Sequence, residues 1–152
     1  MGYTHYMTLN RSGPQEKWTE AVMAAAQIID ASPVPLGDGH GEGDRPLVRD
    51  DGIFTNGIGE GRHETLVVPT VLAALTQDNY TDAYQSEHFL FCKTARKPYD
   101  VVVTAVYATL AHIGGQECVT IGSDGEASDW VAGCALASEV LHQSIAIPAD
   151  LS

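Results

Sequence analysis

Apolar residues recur every three or four positions in three parts of the chain, and this spacing predicts three helices. Trp18, Val22, Ala25 and Ile29 mark the first helix. Two later sets repeat the pattern: Tyr99, Val102, Val106, Leu110 and Ile113, and then Trp130, Cys134, Ala137 and Leu141.

Polar residues and glycines next to these patterns predict where the helices begin and end. Ser12 precedes the first helix with Gln15 three residues later, which is the spacing of a capping box. The glycine pair 114–115 is expected to end the second helix, and Ser128 is a candidate N-cap of the last.

Aromatic and β-branched runs bounded by turn residues predict four strands. They cover residues 2–9, 52–56, 63–69 and 117–125, and the middle two form a hairpin. One or two helical turns are expected in 70–77 and a loop in 78–87. The order β-α-β-β-α-β-α favours an α+β fold with a single sheet and helices on one face, arranged as in ferredoxin-like proteins.

The chain is predicted to form one domain, residues 1–152, with a Gly/Asp-rich loop at about 36–62. In this loop Asp38, His40, Glu42 and Asp44 alternate with glycine, and oxygen ligands at such a spacing suit calcium. Arg49 stands at the twelfth position, where an EF-hand needs Glu. A solvated loop is therefore favoured, and no metal or cofactor is predicted.

Charge narrows the range of functions. The 152 residues include 20 acidic and 8 basic side chains, which gives a formal net charge of −12. General binding to nucleic acids or anionic membranes requires a basic surface, so neither is expected. The three cysteines, Cys92, Cys118 and Cys134, form no CxxC pair and fit reduced, buried thiols of a cytoplasmic protein.

Three of the basic residues stand just before the second predicted helix. Lys93, Arg96 and Lys97 precede a helix start, whose partial positive charge disfavours cations. Cations and free N–H groups together suit a phosphate, and Thr94 adds a hydroxyl. The alternative is that these cations pair only with the protein's own carboxylates.

Tyrosine and histidine side chains extend this candidate ligand site. Tyr3 and His5 share one face of the first strand, and His63 is expected on a neighbouring strand. Such side chains stack on nucleobases and bond to them, although each is also typical of an ordinary half-buried sheet residue. The predicted ligand-binding set is Tyr3, His5, His63, Lys93, Thr94, Arg96 and Lys97.

Two H-x-[ST] triplets offer a catalytic alternative. His63 with Thr65, and His142 with Ser144, each lead into apolar residues and a proline. The pattern is similar to the two-histidine phosphoesterase superfamily, whose paired motifs on facing strands cleave phosphodiesters. Chance explains the two triplets equally well, because the chain has 6 histidines. No Ser-His-Asp order stands out.

Several segments resemble a family of small uncharacterised proteins of tailed bacteriophages and prophages. They are "MGYTHYM", "FCKTARKPYD", the "HET" of 63–65 and the "SDG…DW" of 123–130; Met7 stands where the family often has Trp. The resemblance implies an accessory protein in the cytoplasm of an infected bacterium, acting on host metabolism or defence. It implies no activity.

The favoured function is binding of a small phosphorylated or nucleotide-like host signal, without catalysis. One alternative is a phosphodiesterase that acts on such a signal through the paired H-x-[ST] motifs. The other is an acidic interaction module that inhibits a host protein through its negative surface.

Overall fold

A computed structural model describes residues 3–43, 45–74, 87–149 and 151 of the chain. The strands are β1 (Thr4–Asn10), β2 (Leu36–Gly37), β3 (Leu47–Arg49), β4 (Gly52–Gly57), β5 (Leu66–Pro69), β6 (Glu87–Lys93) and β7 (Val119–Ser123). The α-helices are α1 (Gln15–Asp30), α2 (Asp100–Thr109) and α3 (Val131–Leu141). Short helical turns occur at Gly59–Gly61, Leu72–Ala74, Leu110–Gly114 and Ala127–Trp130.

The strands divide between two antiparallel sheets, and the predicted α+β class is confirmed. One sheet has the order β6-β1-β7, with β1 in the centre. In the other, β4 pairs with β2, β3 and β5, which confirms the hairpin expected from the strands at 52–56 and 63–69. The single sheet and its ferredoxin-like order are not formed, because the hairpin pairs within its own sheet instead of beside β1.

Three strands were not predicted. In β6, Phe89 and Phe91 are 40% and 53% exposed, while Cys92 is buried. Aromatic residues on the outer face hide the apolar–polar alternation that would reveal such a strand. β2 and β3 lie inside the segment 36–62 that was expected to be mostly loop, and β3 is exposed throughout. The single-domain organisation stays a prediction.

Helix α2 forms the centre of the core. Every residue from Val102 to Thr109 is buried, and the helix packs against both α1 and α3. The inner face of β1 meets this core through His5, Met7 and Leu9, each fully buried. Because β1 alternates, its Tyr6, Thr8 and Asn10 lie on the opposite, partly exposed face.

The helix ends follow different local chemistry from that predicted. Pro14 is the N-cap of α1, and neither Pro14 nor Ser12 supplies a capping side chain. The Gln15 side chain instead forms hydrogen bonds with the Thr19 hydroxyl and with the backbone of residues 70 and 72. The turn before α3 is capped by Glu126 and Asp129, which form a capping box, so Ser128 is not the cap. A carboxylate accepts these N–H groups more strongly than a hydroxyl does.

The remaining segments also bear on the predictions. The glycine pair 114–115 ends the helical turn that follows α2, as expected. Residues 143–149 form no regular element. The turn at Leu72–Ala74 lies in the predicted helical stretch, whereas the loop expected at 78–87 lies outside the described residues apart from Glu87. Within the described ranges, no helix is long and apolar enough to cross a membrane.

Close packing of α3 on α2 depends on Gly133. A Cβ at this position would lie 2.1 Å from Thr104 Oγ1 and 2.8 Å from the backbone nitrogen of Ala105. Replacing Gly by Ala normally stabilises an exposed helix by about 1 kcal/mol. At position 133 the clash makes the same substitution destabilising.

We therefore expect Gly133→Ala to lower the free energy of unfolding by about 1–3 kcal/mol, the usual cost of overpacking a core. Urea denaturation measures it, with Ala132→Ser on the exposed face of the same helix as the control. A Gly133→Ala variant more stable than the natural chain would show that the two helices are not this close.

Candidate functional site

Three separate segments meet at the start of β1. The backbone N–H groups of Thr94 and Ala95 both donate to the Tyr3 carbonyl oxygen, at 3.1 and 3.2 Å. On the other side of β1, the Asp124 N–H donates to the Thr4 carbonyl at 2.9 Å. These bonds bring the loop before α2 and the turn after β7 to the same end of the sheet.

His5 links the two flanking segments through its side chain. Its Nδ1 lies 2.8 Å from Ser123 Oγ, and its Nε2 lies 2.7 Å from Asp100 Oδ1. A carboxylate only accepts hydrogen bonds, so Nε2 carries the hydrogen; in the neutral ring, Nδ1 then accepts from the Ser123 hydroxyl. We call these three residues the Ser123–His5–Asp100 chain.

Sheet register explains why Ser123 meets His5. The two residues are directly opposite each other in the antiparallel pairing of β1 with β7. Residues opposite each other across two strands project to the same face, so their side chains are neighbours. Ser123 ends β7 and is half-buried, and its Oγ also accepts the N–H of Gly125 at 2.9 Å.

Asp100 reaches His5 from the first residue of α2. Its Oδ1 accepts both His5 Nε2–H and, at 2.6 Å, the hydroxyl of Thr94. A carboxylate in the first helical turn is also favoured by the helix dipole. The Asp100 side chain is 21% exposed whereas the His5 side chain is 0% exposed, so the chain runs from the protein interior towards solvent.

Aromatic rings enclose His5. Tyr3 and Trp130 each meet it edge to face, with ring centroids 5.0 Å away, and Tyr107 lies at 6.4 Å. Two polar atoms in this enclosure, Tyr3 Oη and Trp130 Nε1, are buried and have no hydrogen-bond partner of standard geometry among the described residues. Burial, and then the charges of Asp100 and Asp129, raise the pKa of Tyr3, although Arg96 and Ser123 oppose this rise.

Gly125 lets the Tyr3 hydroxyl approach the turn. A Cβ at position 125 would lie 2.3 Å from Tyr3 Oη. That distance is too short for any other residue type unless the tyrosine moves. The Tyr3 hydroxyl, the Ser123 hydroxyl and the Gly125 backbone therefore share one small polar region.

Arg96 covers the outer side of Tyr3. Its guanidinium carbon lies 3.8 Å from the Tyr3 ring centroid, and its Nη1 lies 3.4 Å from Asp129 Oδ1. The Arg96 side chain is nevertheless 62% exposed. Ala95 and Arg96 have φ angles of 51° and 58°, a left-handed conformation that non-glycine residues adopt only at some cost.

The start of α2 is occupied by the protein's own groups. The N–H of Asp100 donates to the Lys97 carbonyl, and those of Val102 and Val103 donate to Tyr99. The expectation of free N–H groups is therefore not met at these positions, and Asp100 supplies the negative charge. Among the described residues, the ammonium groups of Lys93 and Lys97 have no carboxylate within 4.0 Å.

Glu64 fixes the loop before α2 from the side of the second sheet. Its Oε2 accepts the Lys93 N–H at 2.7 Å, and its carbonyl accepts the Tyr99 hydroxyl at 2.6 Å. Sequence reasoning gave Glu64 no role in the site. These bonds attach residues 93–99, which include the three cations, to the residues just before β5.

The predicted role of His63 beside His5 is not supported. β5 begins only at Leu66, so His63 and Thr65 precede the strand, and the His63 side chain is exposed. Its backbone is instead bonded to the Asn56 amide. The Thr65 hydroxyl donates to the Gly39 carbonyl.

The paired-motif phosphodiesterase likewise lacks its geometry. His142 ends α3 in a left-handed conformation, with φ at 54°, and Ser144 lies in an irregular, exposed segment. His63 also lies outside a strand. The two H-x-[ST] triplets therefore do not face each other on adjacent strands.

The Gly/Asp-rich segment uses its first carboxylate locally. Asp38 Oδ1 accepts the N–H groups of Glu42 and His40, and these two bonds hold the pKa of Asp38 below its usual value. Asp44 lies outside the described residues. In the described part of the chain, no group of three or more His, Cys, Asp or Glu residues is arranged to hold a metal ion.

All three cysteines are free and buried, as predicted. Burial raises the pKa of the Cys92 thiol to about 12, and it also raises those of Cys118 and Cys134. The thiolate is the reactive form of cysteine, so none of the three suits a nucleophile at neutral pH.

The chain has no match among family models, curated proteins or solved structures in the comparisons made with each. The site's own geometry therefore has to support any functional conclusion.

That geometry combines predicted and unpredicted residues. The structure brings Tyr3, His5, Thr94 and Arg96 together, although His5 and Thr94 are 0% exposed, and the role of the four in ligand binding stays a prediction. Ser123 was missed as a site residue. Asp100 and Asp129 were not predicted as site residues either. The sequence signal for all three was their position at element ends, where polar side chains are needed for capping as well.

Asp129 yields a test of the turn that holds Arg96. Its bond from the Glu126 N–H, and then its contact with Arg96, lower the pKa of Asp129. A carboxyl whose pKa is lowered by folding stabilises the protein at pH values above the pKa of the unfolded state, which is about 3.9. This stabilisation is lost as the pH falls through the lower pKa of the folded state.

We expect Asp129→Ala to cost about 1 kcal/mol of unfolding free energy at pH 7, in the range of a lost helix cap. At pH 2.5 the difference from the natural chain should shrink towards zero, as measured by urea denaturation at both pH values. Glu20→Ala, on the exposed face of α1, is the control. A pH-independent cost would mean that the Asp129 charge is not what stabilises this turn.

Proposed function

We propose that the protein binds a small phosphorylated, nucleotide-like ligand at the surface around Arg96, beside Ser123 and over the buried ring of Tyr3. The observation that carries the proposal is the placement of Arg96. Its guanidinium lies over the Tyr3 ring while the side chain as a whole is 62% exposed, so the group is held in place and still accessible to a ligand. A planar guanidinium held in this way is suited to two oxygens of one phosphate.

Two further cations of the segment that carries Arg96 support the same ligand chemistry. The hydroxyls of Ser123 and Tyr3 are not counted as donors to the ligand, because the Ser123 hydrogen is bonded to His5 Nδ1 and the Tyr3 hydroxyl is buried. Lys93 and Lys97 add positive charge that no carboxylate of the described residues neutralises at close range. The Tyr3 ring is already covered by Arg96, so nucleobase recognition would rest on the exposed side of the guanidinium.

The carboxylates around the site leave Arg96 available to a ligand. Asp100 accepts bonds from His5 and Thr94, and Asp124 accepts from Tyr6 and the Thr4 N–H. Among the described carboxylates, only Asp129 competes directly for Arg96, and it does so at the long distance of 3.4 Å. A phosphate with a higher charge would replace this weak contact.

The resemblance to bacteriophage proteins supplies the setting for the proposal. In the cytoplasm of an infected bacterium, an accessory protein of this kind would sequester a nucleotide-like signal of the host defence. Of the four segments that carry the resemblance, the described parts of three, "GYTHY", "FCKTARKPYD" and "SDG…DW", lie at this site. The acidic interaction module stays a prediction from net charge alone.

Calorimetric titration with mononucleotides, cyclic nucleotides and cyclic dinucleotides tests the proposal. We expect at least one of them to bind, and we expect Arg96→Ala to weaken it roughly 10- to 100-fold, the usual value of a charge-assisted hydrogen bond. Asp129→Asn should strengthen binding, because it removes the competing charge and keeps an acceptor for the Glu126 N–H.

Lys17→Ala is the matched control, since Lys17 is a partly exposed cation paired with Glu117 far from the site. Equal affinity in the natural chain and in Arg96→Ala would contradict the proposal, as would the absence of binding across the series.

A further inference from the structure

The Ser123–His5–Asp100 chain has the connectivity of a nucleophile, a base and an orienting carboxylate. The two links measure 2.8 and 2.7 Å, and both are within the range at which a proton is transferred along hydrogen bonds. The order in the sequence is His, Asp, Ser, and the three residues come from β1, α2 and β7. We propose that Ser123 is an activated nucleophile that cleaves phosphoric esters bound at Arg96.

Burial sets the roles within the chain. The His5 side chain is 0% exposed, so its imidazole exchanges protons with its hydrogen-bond partners rather than directly with bulk water. Ser123 and Asp100 are both half-buried, and of the two only Ser123 carries a hydroxyl that can attack a substrate. Asp100 holds the ring in the tautomer whose Nδ1 is free to accept the serine proton, and it stabilises the imidazolium that results.

Other contacts keep this arrangement fixed. The Gly125 N–H donates to Ser123 Oγ, and the Thr94 hydroxyl donates to Asp100 Oδ1. Edge-to-face contacts with Tyr3 and Trp130 restrict rotation of the His5 ring. A catalytic group that is held in advance does not need to reorganise during the reaction.

The substrate class follows from the position of Arg96. Arg96 covers the face of the Tyr3 ring, and the Gly125 backbone contacts both the Tyr3 hydroxyl and, through its N–H, Ser123 Oγ. In the proposed complex, a phosphate bound by Arg96 presents its phosphorus to Ser123 Oγ. This step rests on the proposed anion site, and Arg96 would stabilise the charge that grows on the phosphoryl oxygens.

The reaction consists of two displacements. Ser123 Oγ forms a bond to phosphorus, its proton passes to His5 Nδ1, and the bond from phosphorus to the leaving alcohol breaks as that oxygen takes the proton. Water then attacks the phosphoserine, gives a proton to His5 Nδ1, and the serine oxygen leaves with that proton. One ester and one water give one phosphoric acid and one alcohol.

An alkyl fluorophosphonate, which phosphonylates activated serines, tests the nucleophile on the full-length protein. We expect a single adduct on Ser123 by peptide mass spectrometry, and no adduct in Ser123→Ala. Ser128→Ala, which alters an exposed serine of the following turn, should react at the natural rate. An adduct elsewhere, or none, overturns the proposal.

The Asp100→Asn variant tests the activation of Ser123 without disturbing the fold. Both bonds to Asp100 end on Oδ1, so an asparagine oxygen can accept them while the charge is lost. We expect labelling to slow by about 10²-fold or more, in the range of general-base effects, with little change in melting temperature. A labelling rate equal to that of the natural chain would show that His5 and Asp100 are only structural.

Hydrolysis of bis(4-nitrophenyl) phosphate tests the substrate class, with 4-nitrophenyl acetate beside it. Turnover of the phosphate that Ser123→Ala abolishes supports the proposal, whereas turnover of the acetate alone overturns the phosphoric ester class. Nucleotide binding in the absence of fluorophosphonate labelling would refute only the nucleophile. Labelling of Ser123 with no nucleotide bound would refute only the anion site.

Discussion

The buried imidazole of His5 is the constraint on which the rest of this end of the molecule depends. A polar ring with no solvent exposure must have both nitrogens hydrogen-bonded, since each unpaired buried group costs about 1–3 kcal/mol. Asp100 and Ser123 meet this need. In doing so they fix where α2 begins and where β7 ends relative to β1, so one side chain in the central strand aligns both neighbouring elements.

The same constraint explains the unusual charge pattern before α2. Asp100 offsets the positive helix end and holds His5, while Arg96 turns away from the helix axis and lies on Tyr3. Its left-handed backbone, shared with Ala95, is the local cost of that placement. The Arg96 guanidinium therefore lies over Tyr3 rather than at the helix start, and a ligand phosphate would bind to this side chain instead of the backbone.

Local patterns predicted much of the fold, and long-range pairing limited the rest. The three helices follow from apolar spacing because the recurring apolar positions of each are buried or half-buried in the core. β6 was not predicted because two of its phenylalanines, Phe89 and Phe91, are exposed. For the site, Tyr3 and His5 could be placed on one face from strand alternation alone. The partnership of His5 with Ser123 depends on the register of β1 against β7, and no local feature of either segment encodes that register.

The tautomer of His5 tests the central claim most directly. A long-range ¹H–¹⁵N spectrum of the imidazole at pH 8 reports which ring nitrogen carries the hydrogen. Our account predicts hydrogen on Nε2, bonded to Asp100, and a bare Nδ1 that accepts from Ser123. Hydrogen on Nδ1 with a bare Nε2 would contradict it, because the Asp100 carboxylate would then have no donor in His5 and Ser123 no base.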